Sequence, residues 1–144
     1  MTPSRVQAIF GLLVVAAAFL FDFGFVTTTD NLQALQENPA AYLASFSRQV
    51  YELLRFYLFV LGVLTLALAA LNLHLGVSER IQWALFALLL AGSTLFLLGG
   101  LWEARRSTPI AVWEPACSVM VLGLIGIFLA LALETYMLVV KRVP

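Results

Sequence analysis

Four apolar stretches, each about as long as a bilayer core is thick, dominate this sequence. They run from Val6 to Val26, from Phe56 to Leu75, from Trp83 to Trp102 and from Ala116 to Val140. A hydrocarbon core about 30 Å thick is crossed by roughly 20 helical residues at 1.5 Å each. With 62% hydrophobic and 11% charged residues, the chain of 144 residues lacks the polar surface of a water-soluble domain. It is predicted to be all-α, with a four-helix transmembrane bundle forming a single domain over residues 1–144.

The first stretch has a second interpretation. Ala16 to Ala18 follow an apolar run and could serve as the small-residue cleavage site of a secretory signal. Against this, the residues that would begin the mature chain, Phe19 to Phe21, are still strongly apolar, and only Arg5 supplies positive charge before the run. An uncleaved first transmembrane helix is therefore favoured.

The long loop between the first two stretches carries helix signals of its own. Asn38-Pro39 pairs a good N-cap with proline at the first helical position, and the segment before it is typical of a short helical turn through Glu37. An apolar face follows at helical spacing, with charged residues opposite. The apolar face is Leu43, Phe46, Val50 and Leu53, and the charged face is Arg48, Glu52 and Arg55. We predict an amphipathic helix over residues 39–55 that lies on the membrane surface, packs on a partner or extends the second transmembrane helix.

Orientation is poorly determined by the positive-inside rule, because four basic residues fall on each side. Arg5, Arg80, Lys141 and Arg142 lie on the side of both termini, and Arg48, Arg55, Arg105 and Arg106 lie on the other. The acidic residues are concentrated on the side of the large loop, but acids count for little in this rule. We place both termini in the cytoplasm.

Small residues should mark the faces on which the helices pack. Lipid tails are as apolar as leucine, so transmembrane helices associate through close packing and polar contacts. The candidate seams are Gly11, Val15 and Ala18; Gly62, Thr65, Ala69, Asn72 and Gly76; Ala84, Ala87, Ala91 and Thr94; and Gly123, Gly126 and Ala130. Counting from the helix ends places Thr65 and Ser93/Thr94 at similar depth, which predicts a hydroxyl contact near the midplane.

Two carboxylates lie inside apolar stretches, where an ionisable group is costly unless it is paired or near water. Glu134 lies seven residues before Lys141, about 10 Å inside the membrane edge, and continues the seam of the fourth helix. Asn72 and His74 come from the same side of the bilayer, so the three could form a polar cluster. Such a cluster would serve as structural glue between helices, reach the headgroups, or bind and release a proton.

Asp22 is the second intramembrane carboxylate and lies on the opposite side of the bilayer from Glu134. It shares the seam of the first helix, and Arg55 opens the second helix on the same side. An Asp22–Arg55 ion pair or an interfacial carboxylate is the simpler interpretation, and a cation or proton site is the functional one.

Composition and motifs exclude several classes of function. A net charge of zero offers no attraction to nucleic acid, and the single Cys117 and single His74 cannot build a zinc or bis-histidine haem site within one chain. No catalytic motif or constellation is present, so we expect neither an enzyme nor a bound cofactor.

Two functions stay open. The first is an accessory or structural subunit that contacts the lipid bilayer and other membrane subunits, or copies of itself. The second is a small oligomeric transporter or channel using an intramembrane carboxylate.

Overall fold

The structure is a computed structural model that describes residues 2–21, 23–24, 29–75, 78–105 and 114–140. Within these ranges the chain forms the helices α1 (Pro3–Phe21), α2 (Thr29–Glu37), α3 (Pro39–Leu43), α4 (Phe46–Leu75), α5 (Glu79–Ala104) and α6 (Pro115–Val140). Helices α1, α4, α5 and α6 are long and apolar enough to cross a membrane. The predicted all-α, four-helix transmembrane bundle is confirmed, and the chain is a multi-pass membrane protein.

The predicted helix over residues 39–55 is interrupted. Asn38 caps α3 as expected, because its side chain accepts a hydrogen bond from the backbone N–H of Ala41 at 3.1 Å. The Ser45 hydroxyl then accepts one from Arg48 N at 3.3 Å and starts a new helix, α4. From residue 46 onward the segment extends the second transmembrane helix. Of the predicted apolar face, Val50 is buried and Phe46 packs against the core, whereas Leu43 and Leu53 are exposed.

Helices α1 and α4 form one antiparallel pair whose backbones touch. A methyl group placed on Gly11 would lie 3.0 Å from the carbonyl oxygen of Gly62. One placed on Gly62 would lie 2.9 Å from the carbonyl oxygen of Gly11. Both positions therefore require glycine, because only a residue without Cβ permits this approach.

Helices α5 and α6 form a second antiparallel pair of the same kind. A methyl group on Gly92 would lie 2.8 Å from the backbone nitrogen of Ile127 and 2.9 Å from the carbonyl oxygen of Gly123. One on Gly99 would lie 2.9 Å from the carbonyl oxygen of Ala116. Backbone-to-backbone contact thus recurs at two levels of this pair.

Side chains join the two pairs to each other. Leu54 of α4 is fully buried and fills the space above Gly100 of α5. Near the same level, Tyr57 and Phe96 bring their ring centroids within 4.2 Å. Phe10 of α1 and Phe86 of α5 meet edge to face at 5.5 Å. The interior between the pairs is therefore filled by leucine and aromatic groups.

The predicted seams are confirmed for three helices and wrong for the fourth. The seam residues of α1, α4 and α6 are buried or half-buried; Gly76 lies outside the described residues. In α5 the predicted seam of Ala84, Ala87, Ala91 and Thr94 is exposed. The buried face of α5 instead carries its glycines, among them Gly92. Alanine is tolerated equally well against lipid, so its spacing does not identify the packed face.

The predicted hydroxyl contact at the midplane is also wrong. Thr65 and Thr94 donate to backbone carbonyl groups one turn earlier in their own helices, each at 2.8 Å. Ser93 donates to the carbonyl of Leu89 at 2.6 Å and accepts from the hydroxyl of Tyr57 at 3.3 Å. The hydroxyl contact between α4 and α5 is therefore made by Tyr57 with Ser93, and not by Thr65, whose hydroxyl proton is used within its own helix.

Candidate functional site

A layer of buried polar side chains crosses the bundle near the end where α1 and α5 begin and α4 and α6 finish. Every transmembrane helix contributes to this polar layer. Its members are Ser4 and Gln7 of α1, Asn72 of α4, Gln82 of α5 and Glu134 of α6, and all five are at most 6% exposed. A buried polar group is costly unless it is hydrogen-bonded, so the contacts within the layer decide what it can do.

Asn72 is the centre of the layer. Its amide nitrogen Nδ2 donates to Oε1 of Glu134 at 2.9 Å and to Oε1 of Gln7 at 3.3 Å. One side chain of α4 thereby links α1 and α6, and both amide hydrogens of Asn72 are used. The link crosses from one helix pair to the other.

A second contact lies about one helical turn closer to the membrane edge. The hydroxyl of Ser4 donates to Oε1 of Gln82 at 3.2 Å, which ties α1 to α5. Ser4 and Gln7 are three residues apart and therefore lie on the same face of α1. That face supplies a polar contact to the α5–α6 pair directly through Ser4 and indirectly through Asn72.

The ionisable group of the layer is the Glu134 carboxyl group, which accepts a hydrogen bond from the amide of Asn72. Among the described residues, Glu134 is bonded to Asn72 and forms no ion pair with Lys or Arg. In the same part of the chain, no three His, Cys, Asp or Glu side chains cluster in a way that could hold a metal ion. Such a carboxyl can lock neighbouring helices together, or it can exchange a proton if water reaches it.

The structure brings together two of the predicted site residues, Glu134 and Asn72. The side chain of His74 and the whole of Asp22 lie outside the described residues, so the predicted third member of the cluster and the Asp22–Arg55 pair stay predictions. Arg55 lies on α4 at the other end of the bundle, beside exposed phenylalanines. It belongs to a different region from the polar layer.

Sequence reasoning missed Ser4, Gln7 and Gln82. All three occupy the first turns of their helices, where polar residues ordinarily meet headgroups and water. The available signal was the spacing of Ser4 and Gln7, which puts two hydrogen-bonding groups on one face of α1 together with Gly11. A polar pair in line with a glycine seam indicates packing against another helix.

No known protein-family model matches this chain, and comparisons with curated proteins and with solved structures found no match.

Proposed function

We propose that this protein is an accessory or structural subunit of a membrane assembly formed with other subunits or with copies of itself. The observation that carries the proposal is the Gln7–Asn72–Glu134 network. Its buried carboxyl is engaged by an amide that also bonds a third helix. Interhelical hydrogen bonds of this kind contribute roughly 0.6 kcal/mol each and specify which helices pair.

The close helix contacts support the same proposal. Where Gly11 meets Gly62 and Gly92 meets Gly123, the backbones approach too closely for a methyl group. At those levels the two helices of a pair leave no room for water between them. A bundle built in this way is suited to hold a fixed shape for a neighbour.

Helix α2 is the proposed contact element outside the bilayer. Leu32 and Leu35, three residues apart, are 43% and 36% exposed. On the same helix, Gln33 donates to the carboxylate of Glu37 at 3.0 Å. Exposed leucines on a short amphipathic helix favour burial against a partner subunit.

Purification of the full chain in mild detergent from its native membrane tests the proposal. We expect a defined complex of constant stoichiometry, with unrelated subunits or with further copies of the chain. Leu32→Ser/Leu35→Ser should release the partner, whereas Gln36→Ala, an exposed change on the same helix, should retain it. A monomer that is unaffected by the leucine changes would contradict the proposal.

A small oligomeric transporter or channel is the second candidate, favoured by a carboxyl group that is only 6% exposed within a transmembrane helix. Glutamine at position 134 keeps the acceptor that Asn72 needs but cannot carry a proton. Glu134→Gln should leave a scaffold intact and would abolish proton-coupled flux in reconstituted vesicles if the protein were a transporter. Asp22→Asn applies the same test to the other predicted carboxylate.

We also propose that both termini are cytoplasmic. A short epitope tag placed at either end should then be protected from protease in intact cells and cleaved after the membrane is permeabilised. Cleavage in intact cells would assign the opposite orientation.

A further inference from the structure

A groove on the outer surface of the α1–α4 pair combines apolar walls with one cation. It is lined by Ala18 and Phe19 of α1 and by Arg55, Phe56 and Phe59 of α4, and it encloses about 370 Å³. Its size falls within the range of small-molecule binding sites, roughly 300–1,000 Å³. Phe19 and Phe56 are 70% and 66% exposed, so the groove opens toward the surrounding lipid.

The cation and the aromatic walls are arranged along the bilayer normal. Arg55 lies four residues before Phe59, one helical turn closer to the end where α4 begins. Phe19 meets Phe59 edge to face, with centroids 6.1 Å apart, and closes the wall between the two helices. The groove therefore carries a guanidinium group at its outer end and is apolar toward the bilayer centre.

We propose that this groove binds an anionic phospholipid, with the phosphate on the Arg55 guanidinium and the adjoining acyl chain along Phe56 and Phe59. The planar guanidinium matches a phosphate through two parallel hydrogen bonds. Arg55 also interacts within the protein. Its five N–H donors allow it to keep that contact and hold a phosphate at the same time.

The surroundings of Arg55 favour an anion with an attached chain. On α4 the nearest acidic residue, Glu52, is engaged by Arg48 at 3.0 Å, which reduces its repulsion toward a phosphate. The predicted Asp22–Arg55 ion pair would still leave guanidinium N–H groups for a phosphate to share. A free phosphate ion would leave the phenylalanine walls unused, whereas a phospholipid covers both parts of the groove. Arginine at this depth also extends its charged end toward the headgroups, where lipid phosphates lie.

Native mass spectrometry of the full chain, released from micelles with equal amounts of phosphatidylglycerol and phosphatidylcholine, tests the proposal. Wild type should retain phosphatidylglycerol preferentially. Arg55→Gln should lower that preference about tenfold, as expected for the loss of one charge-assisted contact. Arg55→Lys should give an intermediate value, because it keeps the charge and loses the paired geometry.

Two controls separate this site from general effects of charge and apolar surface. Arg80→Gln removes an exposed arginine at the opposite end of the bundle and should leave the lipid preference unchanged. Phe56→Ala should weaken lipid retention, whereas Phe128→Ala, at a 71% exposed position on α6, should not. Equal effects of Arg55→Gln and Arg80→Gln would overturn the proposal. So would displacement of the lipid by excess inorganic phosphate, which would assign the site to the free anion.

Discussion

Within each helix pair the contact is made by backbone, whereas between the pairs it is made by side chains. At the α5–α6 crossing, a methyl group on Gly92 would meet the backbone of Gly123 and Ile127. Between the pairs, a methyl group on Gly100 would meet only the side chain of Leu54. A helix backbone can give way only by moving the whole helix, whereas a side chain can change rotamer on its own. The pairs are thus the rigid units, and the interface between them is the adaptable one.

The two interfaces differ in chemistry as well as in stiffness. Within each pair, where two helices cross at glycine, the contact rests on close packing. The interface between the pairs carries hydrogen bonds of Ser4, Asn72 and Tyr57. Asn72 makes a further one within the α1–α4 pair, to Gln7. Close packing stabilises a pair of helices without selecting strongly among similar partners, whereas a hydrogen bond requires one partner at one register. The side-chain interface therefore specifies how the two pairs assemble.

The largest expected effect on stability comes from adding a methyl group where the two helices of a pair cross at glycine. In Gly123→Ala the new methyl group collides with the backbone nitrogen of Phe96, and we expect a loss of about 3 kcal/mol or more in the free energy of unfolding. Gly126→Ala is the matched control on the same helix, since its methyl group would lie 3.2 Å from Gly92 Cα. Unfolding by sodium dodecyl sulfate in mixed micelles measures both. Equal losses would contradict the importance of the closer backbone approach at Gly123.

A glycine-to-alanine substitution at the interface between the pairs should lower the free energy of unfolding by less. Gly100→Ala meets the Leu54 side chain, which can shift, although full burial limits how far. We expect a loss of about 2 kcal/mol. The combination Gly100→Ala/Leu54→Val should recover part of this loss, because the smaller side chain leaves room for the methyl group. A cost as large as that of Gly123→Ala would show that both interfaces are equally rigid.

Removing the centre of the polar layer should loosen the contact between the pairs. Asn72→Ala leaves Glu134 and Gln7 buried without their shared donor, and we expect a loss of about 1–2 kcal/mol in the same unfolding measurement. Glu134→Gln, which retains an acceptor, should change the free energy of unfolding by less than this. If Asn72→Ala had no effect, the network would not be what joins the pairs.

The smallest effect on stability is expected from removing the half-buried hydroxyl contact between Tyr57 and Ser93. Tyr57→Phe removes the hydrogen bond to Ser93 and preserves the ring contact with Phe96, so the loss should be about 0.5 kcal/mol. Tyr57→Leu also removes the ring and should cost more. A larger effect for phenylalanine than for leucine would mean that the hydroxyl, and not the ring, joins the pairs here.

The contact between Glu134 and Asn72 was predictable because both the depth and the face of a transmembrane residue follow from simple counting. Glu134 continues the Gly126 and Ala130 stripe at four-residue steps, and Asn72 continues the seam that includes Gly62. The contribution of Gln7 was not predictable in this way. It depends on how far α1 slides along α4, and that register is set where Gly11 meets Gly62.

The buried face of α5 shows the opposite outcome. By size alone alanine and glycine are equivalent, yet α5 turns Ala84, Ala87 and Ala91 outward and Gly92 inward. Alanine packs against lipid and against protein at similar free energy. The position of an alanine therefore says little about whether that face of the helix is buried. Glycine does indicate the buried face, because only a residue without Cβ permits the observed approach of two backbones.

By itself the sequence determined that this is a four-span helical membrane protein, where each span lies, and which end of the bundle holds Glu134. These properties depend on the length of apolar runs and on helical rise, which are local. Only the tertiary structure decided that α1 pairs with α4 and α5 with α6, which face of α5 is buried, and that Ser4, Gln7 and Gln82 join the polar layer. Lipid is as apolar as most of these side chains, so hydrophobicity does not distinguish inside from outside in such a helix. Close backbone contact and hydrogen-bond geometry make that distinction, and both exist only once the helices have met.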